Sequence, residues 1–184
     1  MDRRGIIEDE LLVLRCQEGD ARAFEALVDR WQNRLWRHAL RLTGNEEAAL
    51  DAVQETWIAI SHGIRRLNEV TAFPAWAYRI ASNKCRDWIR RESRRRKTQE
   101  DWFADDVAQR EAAPQVDDDP ARNLDEALRR IPGKDRSILS LRYEEGFDTA
   151  AIAAILDVPE GTVKSRLFYA RQRLKETLEA MNHE

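Results

Sequence analysis

Between Lys164 and Gln172 the chain gathers side chains of the kinds that touch nucleic acid. On a helix at 100° per residue, Ser165, Phe168, Tyr169 and Gln172 share one side, flanked by Lys164 and Arg166. Val163, Leu167, Ala170 and Leu174 form the opposite, apolar stripe. Hydroxyl and guanidinium groups pair with base edges and phosphates, and rings pack on thymine methyls and sugars, which is the chemistry of a helix in a DNA major groove. The competing reading is a trihelical core whose basic face is only solvated.

A second cluster lies in FPAWAYRIASNKCRDWIRRESRRRK, residues 73–97, where Trp76, Tyr78 and Trp88 interleave with Arg79, Asn83, Lys84, Arg90 and Arg91. Rings that stack bases beside cations that meet phosphates suit single-stranded or partly opened nucleic acid. The plainer alternative keeps Trp76, Ile80 and Trp88 in a core and leaves the arginines to phosphate contact; the two are compatible. A third cluster sits between 46 and 61. Leu50, Val53, Trp57 and Ile60 keep the core spacing there, and Asp51, Gln54, Glu55 and Ile58 repeat it on a neighbouring stripe. That stripe is either the solvated side of an amphipathic helix or a face that grips a partner helix. No carboxylate set, nucleophile–base pair or glycine-rich phosphate loop appears, which argues against an enzyme. Cys16 and Cys85 stand alone and His38, His62 and His183 are scattered, so no metal or cofactor is expected, and the thiols are expected to be buried.

These clusters need helices to hold them. Helices are predicted over 8–18, 21–43, 46–66 and 73–96, with a loop at 67–72, then over 121–131 and 133–145. Gly19-Asp20, Gly44-Asn45, Pro132-Gly133 and Gly146 punctuate them. Next, Asp148 or Thr149 can cap a short helix whose Ile152, Ile155 and Leu156 share a buried face, Asp157 and Val158 break it, and Pro159 opens the basic helix in its first turn. Two helices joined so tightly must cross steeply, as in a helix-turn-helix. Alternating β-branched runs are absent, and the predicted class is all-α.

Charge divides the 184 residues. Residues 79–97 carry nine cations against two anions, a net of +7; 99–123 carry eight anions against two cations, a net of −6; and 159–175 return to +4. Two basic bodies thus flank an acidic connector punctuated by Pro114 and Pro120, which predicts two small helical domains, 1–97 and 121–184, joined by an acidic flexible linker at 98–120. The composition is 42% hydrophobic and 35% charged, with no run near the ~18 apolar residues of a membrane span and no apolar signal-peptide core at the start. No membrane insertion and a cytoplasmic location are expected.

With these residues in view, ALDAVQETWIAI followed by FPAWAYRIASNKCRDWIRRESRR resembles conserved region 2 of bacterial sigma factors. The segment LDEALRRIPGKDRSILSLRYEEGFDTAAIAAILDVPEGTVKSRLFYARQRLKETL resembles their region 4. The two blocks in this order, with a short linker for region 3 and no N-terminal autoinhibitory region, resemble the extracytoplasmic-function (ECF) group of the sigma-70 family over residues 11–178. The resemblance implies a promoter-specificity subunit of core RNA polymerase that directs promoter recognition and DNA opening, with the phosphoryl-transfer chemistry left to the core enzyme.

The resemblance also implies roles. Asp51, Gln54, Glu55 and Ile58 would dock on the clamp coiled coil of the largest polymerase subunit, and the flap region would be a further contact. Trp76, Arg79, Asn83, Lys84, Arg90 and Arg91 would bind the minus-10 promoter element during strand opening, and the loop carrying Arg65, Arg66 and Asn68 would receive a flipped base. Glu160, Thr162, Lys164, Ser165, Arg166, Phe168, Tyr169, Arg171 and Arg173 would read the minus-35 element. The acidic linker would thread toward the polymerase active-site channel, and an anti-sigma factor would control the protein. Trp57 stands where the family usually has Phe, Asp157 where Gly is common, and Phe168 where a polar residue or His is frequent. Two readings from other classes compete: a free-standing helix-turn-helix regulator, and a decoy that sequesters a sigma factor's inhibitor.

Overall fold

The computed structural model describes residues 3–100 and 120–181, and among these there is no strand. The first body holds α1 (Arg3–Gln17), α2 (Ala21–Thr43), α3 (Glu46–Gly63) and α4 (Phe73–Glu100). Single 3₁₀ turns at Ile64–Arg66 and Val70–Ala72 join the last two. The second body holds α5 (Pro120–Arg130), α6 (Gly133–Tyr143), α7 (Thr149–Leu156) and α8 (Glu160–Met181). Most of the linker predicted at 98–120 lies outside the described residues.

Local chemistry sets the boundaries. The Asp20 carboxylate accepts from the backbone N–H of Arg22 at 2.9 Å and of Ala23 at 3.2 Å, which caps α2, and these bonds, with Arg15, hold its carboxyl below the usual range. Gly44 ends α2 in the left-handed region at φ 65°, and the Asn45 side chain then accepts from the Ala48 N–H at 2.8 Å to start α3. Asp148, rather than Thr149, caps α7, accepting from the Ala151 N–H at 2.7 Å. Asp157 closes that helix at φ 52°, a backbone setting that costs an L residue less when it is Asp or Asn.

Several boundaries differ from the sequence reading. The helix predicted over 46–66 becomes 3₁₀ after Gly63, α1 starts earlier, α6 ends at Tyr143, and Pro159 precedes α8, where its carbonyl accepts from the N–H groups of Thr162 and Val163. Leu50, expected in the core, is 60% exposed. Ala48, Ala49, Ala52, Val53, Thr56 and Ile60 are what α3 buries, a set made mostly of small side chains that let it approach α2 and α4 closely.

Trp31, Leu27, Leu35, Phe73 and Tyr78 fill the first core, each buried side chain worth roughly 1.5–3 kcal/mol. Ile138, Leu141, Ile152, Ile155, Val163, Leu167 and Ala170 fill the second. The cores are continuous, since α7 packs on α4 and α6 packs on α2. Tyr78 spans the join: its ring lies 6.2 Å from Trp31, 5.0 Å from His38 and 5.6 Å from Phe147 of the second body, all edge-on. Cys16 and Cys85 are buried free thiols, as expected.

Candidate nucleic-acid interface

The α4 surface separates the residues grouped there by sequence. Phe73, Ala77, Tyr78, Ala81 and Cys85 face inward, so Tyr78 is a core residue and not a stacking platform. Arg79, Asn83, Arg90 and Arg91 are exposed together. Trp76 is half-buried beside Phe73, and a side chain at Gly63 would come within 2.9 Å of its ring, so the α3 terminus holds that indole in place. Lys84 forms an ion pair with Glu55 of α3 at 3.0 Å, tying one candidate minus-10 residue to one candidate docking residue.

Arg65, Arg66 and Asn68 are exposed on the connection between α3 and α4. Its backbone is braced by a residue that sequence reasoning missed. The Gln17 amide donates to the carbonyls of Ile64 at 3.0 Å and Leu67 at 2.7 Å. A polar residue at the end of α1 gives no local sign of a partner 50 positions away. Asp51, Gln54 and Ile58 are exposed on α3 with Glu55 half-exposed beside them, and Ile58 is 52% exposed, an apolar side chain set among polar ones.

On α8, Val163, Leu167 and Ala170 are buried and Ser165, Arg166, Phe168, Tyr169 and Gln172 are exposed, the division expected from periodicity. Phe168 and Tyr169 form an edge-to-face pair with ring centroids 5.5 Å apart. Local contacts engage much of the polar set. Lys164 pairs with Glu160 at 2.9 Å, the Ser165 hydroxyl donates to the Thr162 carbonyl at 3.0 Å, Arg171 donates to the Tyr143 hydroxyl at 3.3 Å, and Arg173 pairs with Asp135. Lys164 and Thr149 together hold the Glu160 carboxyl below its usual range. Arg166 has no ion pair or hydrogen bond among the described residues.

A further set that sequence reasoning missed lies between the bodies. Arg34, His38 and Arg41 form one stripe of α2 that faces the second body. Arg34 pairs with Glu145, His38 lies beside Ser137, and Arg41 donates to the Ser140 hydroxyl at 2.6 Å and to Glu144 at 2.8 Å. Their spacing is legible in the sequence, but nothing local marks it as more than a solvated face.

Eight helices among the described residues, in two bodies of which the second ends in a helix-turn-helix, make this a two-body all-α protein. Residues 27–95 match the family model for sigma-70 region 2, and residues 121–174 that for sigma-70 region 4. The ECF RNA polymerase sigma-E factor of Haemophilus influenzae is 32% identical over 95% of this chain and 97% of its own length. The RNA polymerase sigma-H factor of Pseudomonas aeruginosa is 30% identical over 96% of this chain and 97% of its own. The chain belongs to the sigma-70 family, in its ECF group. Similar solved structures include the sigma factor RpoE in complex with the anti-sigma factor NepR from Bartonella quintana, with a TM-score of 0.65 and 26% identity over 85% of this chain and 96% of that one. CnrH in complex with the cytosolic domain of CnrY gives a TM-score of 0.63 and 25% identity over 94% and 98%.

Proposed function

We propose that this protein is an alternative sigma factor that docks on core RNA polymerase through Asp51, Gln54, Glu55 and Ile58. The first body, taken as residues 1–97, engages the minus-10 element through the exposed α4 cations and the Arg65–Asn68 connection. The second, taken as 121–184, reads duplex minus-35 DNA through α8, and the segment 98–120 joins them. The observation that carries this reading is the match of both bodies, in order, to the two sigma regions. Strand opening is driven by binding: captured bases offset the few kcal/mol of unstacking a flipped nucleotide. The protein acts without catalysing a reaction itself and works in the cytoplasm; no helix among the described residues is long and apolar enough to cross a membrane.

Control by an anti-sigma factor is part of the proposal, supported by the similar structure of RpoE, which is held in complex with the anti-sigma factor NepR. A groove of about 760 Å³ between α2, α5, α6 and α8 fits an amphipathic helix with acidic flanks. Leu40, Leu124, Leu128 and Leu174 offer it an apolar floor, and Arg37 and Arg129 a cationic rim. The test is run-off transcription from a genomic library of promoter fragments, using core polymerase with and without the protein. Transcripts that share an upstream and a spaced downstream motif support the reading. No transcripts, despite tight binding of duplex operator by the protein alone, would replace it with a free-standing regulator.

A further inference from the structure

His38 sits at the centre of the contact between the bodies and is 1% exposed. Its Nε2 lies 2.8 Å from the Ser82 hydroxyl of α4 in its own body, and its Nδ1 lies 3.4 Å from the Ser137 hydroxyl of α6 in the other. The Tyr78 ring closes a third side at 5.0 Å. Serine hydroxyls donate or accept, so either neutral tautomer of the imidazole is satisfied there.

An imidazolium could donate to both hydroxyls, but its charge would be buried without a carboxylate bonded to it. Arg41, on the same helix, acts on the ring and repels a proton. The carboxylates of Glu144, Glu145 and Asp135 in the second body are engaged elsewhere, by Arg41, Arg34 and Arg173. From α4, Ser82 and the neutral Tyr78 face it. Burial first, and Arg41 second, lower its pKa from the ordinary 6.5 to about 3.

We propose that the contact between the two bodies is a proton-operated latch, opened when His38 takes up a proton. Withdrawal of α6 removes Ser137 and gives Nδ1 to water, where the imidazolium is hydrated. The direction follows from linkage. The neutral ring is favoured in the closed form, so its contribution to closure is fully present above the ordinary pKa and is lost progressively as pH falls below about 6.5. From pH 7.5 to 5.5 the ratio of open to closed molecules rises ~10-fold, from this group alone. The geometry stands whether or not the sigma assignment does. If that assignment holds, opening matters for promoter use. A compact body of this size has a radius of gyration near ~16 Å, whereas DNA sites two helical turns apart lie ~70 Å from one another.

The test uses the full chain. The ring resonances of His38, assigned by their loss in His38→Gln, are titrated by NMR in the wild type and in Gly133→Ala combined with Glu145→Gln. That pair weakens the contact at two points, neither of which bonds to the ring. Dyes on cysteines introduced at the exposed positions 47 and 180 report the distance between the bodies. The expected midpoint is below 5 in the wild type and moves toward 6.5 in the double variant as the bodies separate. In that variant the open fraction should rise on acidification, and adding His38→Gln should abolish the rise. A wild-type midpoint near 6.5, a low midpoint in separated bodies, or bodies that stay together in the double variant would each overturn the latch.

Discussion

Arg34 of α2 and Glu145, 111 positions later, form an ion pair across the contact between the two bodies, and the same guanidinium lies 3.9 Å from the centre of the Trp31 ring. Little of either charge reaches water: the side chains are 19% and 8% exposed. Removing one partner strands the other in a poorly solvated site, which typically costs ~3–5 kcal/mol where burial is complete. Glu145→Gln should therefore weaken closure by somewhat less than that, seen as a larger radius of gyration in X-ray scattering, with unchanged helix content. An unchanged radius would show that apolar contacts alone hold the bodies together.

Gly133 opens α6 directly against the end of α2, where a Cβ would stand 2.1 Å from the Arg41 carbonyl oxygen. Backbone cannot yield as a flexible side chain does. Gly133→Ala should cost closure ~1–3 kcal/mol through overpacking, while leaving α6 itself intact because Ala favours a helix. Differential labelling of the two bodies by limited proteolysis reads this out; protection equal to wild type would contradict it.

Asp51 and Gln54 are exposed and bond to nothing that the fold needs. Asp51→Arg with Gln54→Ala should keep the circular dichroism and melting temperature of the wild type but lose competition for core polymerase. Normal competition by the double variant would remove α3 as the docking face.

Arg166 and Phe168 project from α8 on the side opposite Val163 and Leu167. Arg166→Glu should abolish promoter use by repelling phosphate and leave polymerase binding intact. Phe168→Ala should instead relax sequence choice in the minus-35 element, by ~1–3 kcal/mol at the affected base pair. Loss of core binding in either variant would contradict the assignment of this face.

Burial raises the Cys16 thiol to about 11, with Asp20 adding to the effect, and raises the Cys85 thiol to about 12. Thiolate, the reactive form, is thus scarce in the folded protein. Both cysteines should react with a disulfide reagent at pH 8 only as fast as the protein opens, and quickly in denaturant. Because the neutral thiol is favoured in the fold, their contribution to stability is present below the ordinary thiol pKa and is lost as pH rises above it, so melting temperature should fall through pH 9 to 10. Rapid labelling without denaturant would place at least one thiol on an accessible surface.

Sequence by itself determined what depends on near neighbours. The Val163–Leu167–Ala170 stripe, the opposed Phe168 and Tyr169, the turns at Asp20 and Asn45, a cap at Asp148 or Thr149 and the break at Asp157 all follow from 3.6-residue periodicity and from side chains that bond backbone within three positions. Tertiary structure decided where the edge of the buried α3 stripe falls, although Val53 and Ile60 are buried as their spacing implies. Leu50 is left in solvent and Ala49 and Ala52 face inward, because helix approach rewards small side chains where backbones come close. It also turned Tyr78 from a candidate base-stacking ring into the bridge between two cores, and it gave Arg34, His38 and Arg41 partners 99 to 111 positions away. An arginine or histidine on a helix looks the same to its chain neighbours whether it faces water or a second domain, and only the packing of α6 onto α2 removes the water that makes the difference.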